Sequence, residues 1–191
     1  MDVDLLIKNG ILVIPGVGTV KGCLAIQAEK IVGIYDSPRA IAARETIDAR
    51  GNFILPGLVD PHVHYGHKGN LESHFRTETA SAAIGGITPV LLFYRDNINP
   101  VGLYENIPYV KEIGEKNSSI DFSFRLLLIT RNQLNKIGRY VKEDGISSFK
   151  FYMVYKGEDA KSIGLIGNET DDGFLWEAFS IISQLPGGVA C

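Results

Sequence analysis

The residues best equipped for chemistry lie in two short stretches. His62 and His64 sit in Asp60-Pro61-His62-Val63-His64, directly after the apolar run 53–59. In a strand, successive side chains alternate faces, so residues 62 and 64 share one. Two imidazoles on one face can grip a single metal ion. A bare His-x-His also arises by chance, and its plain alternative is a pair of polar loop histidines. Its place at the C-terminal end of an apolar strand, where a barrel keeps its active site, favours the ligand pair. Lys150 is the second candidate, lying inside Phe149-Lys150-Phe151-Tyr152-Met153. Lysine is almost never fully buried without a partner. Desolvation lowers its pKa and leaves a neutral, nucleophilic amine, which reacts with carbon dioxide to give a carbamate able to bridge two cations. Its plain alternative is a side chain that snorkels to the strand end.

Tyr155 follows in the same strand or its loop. A phenol there has the chemistry to donate to a developing oxyanion, although a lone tyrosine is also an ordinary packing residue. Asp60 either orients a ligand histidine or simply ends the strand. His67 and His74 read as surface or supporting groups, and Arg95-Asp96 as a loop pair without a role.

These residues need elements to hold them. Residues 4–50 read as β. Segments 5–8 and 11–14 flank an Asn9-Gly10 hairpin signal, and segments 23–28 and 31–35 join through Glu29-Lys30. A short strand at 45–49 follows. After Gly51 the pattern changes to strand–helix units. Strands are expected at 53–60 (broken by Pro56-Gly57), 90–93, 122–128 and 148–153. Helices are expected at 71–83, 106–116, 131–143 and 171–183, the last with Trp176, Phe179 and Ile182 inward and Asp171 or Asp172 as N-cap. Val189-Ala190-Cys191 opens a fifth strand. Alternating βα units imply a parallel sheet. They fit an open doubly wound sheet or the first half of a (β/α)8 barrel, which needs roughly 250 residues. The glycine-rich phosphate fingerprints of the former class are absent. The organisation read from the chain is 1–50 as a small β module and 51–191 as the βα units.

Composition narrows the functional classes. The 191 residues are 45% hydrophobic and 21% charged, with a formal net charge of -3, as in ordinary globular proteins. A mildly acidic chain without a basic block speaks against nucleic acid as a partner. No window approaches a membrane span, and the acidic start lacks a secretory n-region. Cys23 and Cys191 make no metal spacing and read as reduced thiols, which implies a cytoplasmic location.

Gly57-Leu58-Val59-Asp60-Pro61-His62-Val63-His64 resembles the first-strand motif of the cyclic amidohydrolases, the dihydropyrimidinase/hydantoinase, dihydroorotase and allantoinase branch of the amidohydrolase superfamily. Segment 148–157 resembles the dihydropyrimidinase stretch around the carboxylated lysine, and segments 45–64 and 80–92 also follow the family. The resemblance implies an α/β fold: the first half of a metal-dependent (β/α)8 barrel, preceded by strands of a small β-sandwich. It implies two divalent metal ions, zinc, with His62 and His64 on the more buried one. Lys150, carboxylated by carbon dioxide, would bridge both. Tyr155 would stabilise the tetrahedral oxyanion as a metal-held hydroxide opens a cyclic ureide or imide. The family's two further histidines and shuttle aspartate would fall beyond Cys191. The chain is therefore expected to be an inactive N-terminal fragment of a homo-oligomeric parent (dimer or tetramer). In such a half-barrel, Val90, Leu92, Phe124, Leu126 and Phe149 are expected on the uncovered inner face. Dihydroorotases carry an arginine where this chain has Gly66, and the spacing of Lys150 and Tyr155 favours dihydropyrimidinase or hydantoinase. Segments 65–70 and 89–94 depart from that branch, which leaves dihydroorotase and allantoinase as alternatives. A reading of another class is a non-catalytic relative like the collapsin-response proteins, which lack the metal ligands. The joint presence of His62, His64 and Lys150 weighs against it.

Overall fold

The computed structural model describes residues 2–38, 41–66, 69–96, 99, 101–186 and 189–190. The chain forms two units, Met1–Gly57 and Leu58–Cys191.

In the first unit, β1 (Asp2–Ile14) pairs antiparallel with β2 (Gly18–Gln27), which pairs antiparallel with β3 (Lys30–Tyr35). On the other edge of β1, β4 (Ala42–Asp48) and β5 (Phe53–Ile54) run parallel to it. The described residues thus form one mixed sheet, with Val3, Leu6, Cys23 and Ala25 buried together against Tyr35, Ile41 and Ala43. Asn9-Gly10 is not a hairpin turn. β1 runs through it with a bulge, Asn9 sits at φ 56°, and its side-chain amide donates to Asp48 Oδ1 at 3.0 Å. An Asn at positive φ serves a bulge as well as a turn, and the partner strand decides between them. The reversal comes instead at Pro15-Gly16-Val17, where Gly16 takes φ 75°.

The second unit is a run of parallel strands with helices between them. β6 (Leu58–Val63), β7 (Ile87–Tyr94), β8 (Asp121–Leu127), β9 (Ser148–Lys150) and β10 (Val189–Ala190) lie in the order β10-β9-β8-β7-β6, all parallel. They make a curled parallel half-barrel. The crossovers carry α1 (Leu71–Ile84), α2 (Ile107–Asn117), the short α3 (Arg131–Leu134) and α4 (Ile137–Lys142), then α5 (Gly157–Ser162) and α6 (Asp172–Ile182). Asn70 caps α1 by accepting from the Ser73 N–H at 2.9 Å, and Asp171 caps α6 by accepting from Phe174 N–H at 2.7 Å.

Period-2 alternation sorts the strand side chains between two faces. Val90, Leu92, Phe124, Leu126 and Phe149 are at most 2% exposed and pack against Phe75, Ile107, Val110, Ile137, Tyr140 and Phe174 of the helices. The expectation that these five line the inner face is therefore wrong. Helices cover one side of a parallel sheet, and the most apolar register faces them. The opposite face carries Phe93, Arg125, Ser148 and Lys150, together with Leu127 in a smaller cluster with Ala160 and Leu165.

Three other expectations change. The single helix 131–143 is two short ones: a Thr130/Gln133 capping box starts α3, and Lys136 N–H bonds back to Gln133 O in a tight turn. Leu134 and Ile137 flank that turn and are both buried, so core packing favours the break. The strand at 148–153 stops at Lys150, because Tyr152 O accepts from the Asn168 side chain rather than from a neighbouring strand. On α6 the buried residues are Phe174, Ala178 and Ile182, whereas Trp176 is 78% and Phe179 48% exposed.

Candidate active site

β6 delivers both histidines to one place. Their Nε2 atoms are 3.0 Å apart and their rings meet edge to face with centroids 4.9 Å apart. Asp60 Oδ1 accepts the His62 backbone N–H at 3.0 Å, so in this structure it sets the backbone entering the pair and not a ring. Beyond the pair, Gly66 turns the chain at φ 70° and its N–H donates to His74 Nδ1 at 3.0 Å. His74 thus supports the turn that follows His64. His67 lies outside the described residues, as does Cys191, while Cys23 is a buried free thiol in the first unit.

The floor beside the pair is aromatic and cationic. Phe93 lies 4.7 Å from the His64 ring and 5.9 Å from both the His62 and Tyr152 rings. Lys150 closes β9 half-buried, with Nζ 5.6 Å from the Tyr152 ring centroid. Burial, then the Lys150 ammonium and the Arg125 guanidinium, hold the His62 pKa below its ordinary value, with Asp60 opposing them. That direction favours the neutral imidazole, the form that ligates metals. Tyr155 stands in the loop after β9, 37% exposed, with its ring against Tyr152 at 5.2 Å. Asn168 Nδ2 donates to the carbonyls of both Tyr152 and Tyr155 at 2.9 Å and ties that loop down.

The structure thus joins His62 and His64 directly and brings Lys150 within electrostatic reach of His62. Tyr155 is linked to them through the rings of Tyr152 and Phe93. Among the described residues, no three His, Cys, Asp or Glu side chains surround one point. The two imidazole nitrogens of His62 and His64 are a donor pair of the kind that fits a metal ion. Sequence reasoning missed Arg125, whose Nη1 is 3.4 Å from His62 Nδ1 and whose Nε donates to Ser148 Oγ at 2.9 Å. A signal existed, since Arg125 interrupts the apolar strand 122–128 just as Lys150 interrupts its own. Asn168 had none, being one polar residue in a polar loop.

No protein-family model matches the chain. A D-hydantoinase of Geobacillus stearothermophilus is 34% identical over 186 residues, covering 94% of this chain and 37% of that protein. A dihydroorotase of Methanothermobacter thermautotrophicus is 32% identical over 172 residues, covering 88% of this chain and 35% of that one. The structure of the L-hydantoinase (dihydropyrimidinase) from Arthrobacter aurescens superposes with a TM-score of 0.80 at 26% identity, over 98% of this chain and 40% of its own. The chain thus spans well under half the length of these relatives. With the His-x-His pair at the end of β6, the lysine at the end of β9 and similarity along nearly its whole length, the chain belongs to the cyclic amidohydrolase family of hydantoinases, dihydropyrimidinases and allantoinases.

Proposed function

We propose that this chain carries the first part of a two-metal centre that opens a cyclic ureide or imide by hydrolysing a ring amide bond, in the manner of a dihydropyrimidinase or hydantoinase. The observation that carries this reading is the pair of Nε2 atoms 3.0 Å apart on β6, with Lys150 at the end of β9 near enough to perturb His62. His62 and His64 would hold one of the metal ions. The Lys150 amine, once neutral, adds to carbon dioxide, forming an N–C bond and releasing a proton. That step would turn a positive charge beside His62 into a negative one, removing a repulsion against bound cations, and Lys150 would then supply an anionic ligand. When bound, zinc would provide hydroxide near neutral pH as the nucleophile. Tyr155 donates its O–H to the carbonyl oxygen as that oxygen gains charge.

This chain supplies three protein ligands for two metals, so turnover belongs to a protein that adds further donors, and residues 1–191 alone are expected to be inactive. Homo-oligomeric assembly is part of the same reading. Gly66 favours the hydantoinase side over dihydroorotase. At φ 70° any side chain is strained, and a Cβ there would meet Leu71 Cδ1 at 3.1 Å, so an arginine at this position is disfavoured by the backbone itself.

The test is metal analysis of the longest protein containing this chain, with and without bicarbonate. Two equivalents are expected, and Lys150→Ala should remove most of the binding. Full wild-type affinity in the alanine variant would show that Lys150 is not the bridge. With a dihydropyrimidine or 5-substituted hydantoin as substrate, Tyr155→Phe should lower kcat by about 100- to 1000-fold with little change in KM.

A further inference from the structure

The strip 168–171 is bound on two sides. Towards the loop after β9, Asn168 Nδ2 donates to the carbonyls of Tyr152 and Tyr155 at 2.9 Å, and Lys156 Nζ donates to Thr170 O. Towards the end of β8, Glu169 N–H donates to Ile129 O at 2.7 Å. The Glu169 carboxylate accepts there as well, from the Arg131 backbone N–H at 3.1 Å and from its Nη1 at 3.4 Å. β9 ends at Lys150, so the backbone that carries Tyr155 is tied to the end of β8 through this strip.

The second side converges on Arg131. Its Nε meets Glu177 Oε2 at 3.2 Å and its Nη2 meets Asp171 Oδ1 at 4.0 Å, so one guanidinium faces three carboxylates. Its Cζ lies 5.9 Å from the centre of the Phe174 ring. Arg131 opens α3 directly after the Thr130/Gln133 capping box, which fixes its backbone at the end of β8. An isolated exposed ion pair contributes little, but several carboxylates sharing one planar cation form a network that contributes more. The Arg131 side chain is 48% exposed, so dissolved salt reaches the cluster and screens it.

We propose that Arg131 and Glu169 are positioning residues for Tyr155: their ion pair seats the strip 168–171 on the end of β8, and Asn168 and Thr170 of that strip hold Tyr155 and Lys156. This rests on the reading of Tyr155 as the oxyanion donor. Arg131 and Glu169 act through Asn168 and do not act on the substrate themselves.

The test compares wild type, Arg131→Gln and Glu169→Ala in the longest protein containing this chain, with a 5-substituted hydantoin as substrate. Each variant should lower kcat by about three- to tenfold with KM and metal content unchanged. The double variant should lose no more than about twofold beyond either single one, and in a Tyr155→Phe background each change should alter kcat by less than about twofold. A purely structural role would give the same loss in both backgrounds and would overturn the proposal. So would unchanged kcat in both single variants when Tyr155→Phe is impaired. Full activity in Tyr155→Phe would instead remove the Tyr155 reading, and the proposal with it. Salt gives a second arm: between about 0.05 and 1 M sodium chloride, wild-type kcat should fall about two- to threefold while Arg131→Gln does not respond. An equal response in both proteins would overturn the clamp. A third arm needs no turnover. Amide hydrogen exchange over residues 152–157 should quicken by about three- to tenfold in Arg131→Gln, and exchange at the wild-type rate would refute the clamp whatever Tyr155 does.

Discussion

Asn168 offers the sharpest test of how the loop after β9 presents Tyr155. Its Nδ2 bridges the carbonyls of Tyr152 and Tyr155 at 2.9 Å each, and its Oδ1 accepts from Thr170 N–H at 3.0 Å. Asn168→Ala removes all three bonds and adds no bulk. Each is worth about 0.5–1.5 kcal/mol net. Tyr155 is exposed and Tyr152 half-buried, so water replaces part of the loss. A total of about 1–3 kcal/mol remains, which corresponds to a roughly 5- to 150-fold fall in the population of the tethered loop. If Tyr155 acts from that loop, kcat falls by a similar factor, bounded by the effect of Tyr155→Phe. The assay is steady-state hydrolysis of a 5-substituted hydantoin by the longest protein containing this chain, run as a double-mutant cycle. In a Tyr155→Phe background, Asn168→Ala should change kcat by less than about twofold, because the group it positions is gone. The same loss in both backgrounds would refute the reasoning and give Asn168 a role independent of Tyr155.

Two further outcomes concern the supports of the site. Gly66→Ala should destabilise the second unit by about 1–2 kcal/mol from backbone strain alone, and Gly66→Asn by less because asparagine tolerates positive φ; equal urea midpoints for the wild type and both variants would contradict this. Gln133 is fully buried, accepts from the backbone N–H of Ile129 and Thr130 at 2.8 and 3.1 Å, and donates to Gly102 O at 2.8 Å. Gln133→Leu therefore strands buried polar groups at the end of β8 and should cost about 3–5 kcal/mol, readable as a lowered urea midpoint, whereas a loss under about 1 kcal/mol would mean that water reaches those groups.

What was legible in the sequence was local. The spacing of His62 and His64, a lysine inside an apolar strand, and the caps Asn70 and Asp171 each depend on neighbours a few residues away. So do the βα alternation and its parallel sheet, since period-2 and period-3.6 patterns are written along the chain. Where two local outcomes had similar energies, the chain alone was silent. Asn9 suits a turn and a bulge equally, and pairing with β4 and β5 made it a bulge. The face of the sheet turned towards the helices depended on which register buries more apolar area. It put Phe124 and Leu126 among the helix residues of the main core and left Arg125 on the other side. Tertiary structure alone set Arg125 against His62, 63 residues earlier, and Asn168 beneath Tyr155. Those contacts are made between strands and loops that meet only after the sheet has curled, so no pattern of spacing along the chain encodes them.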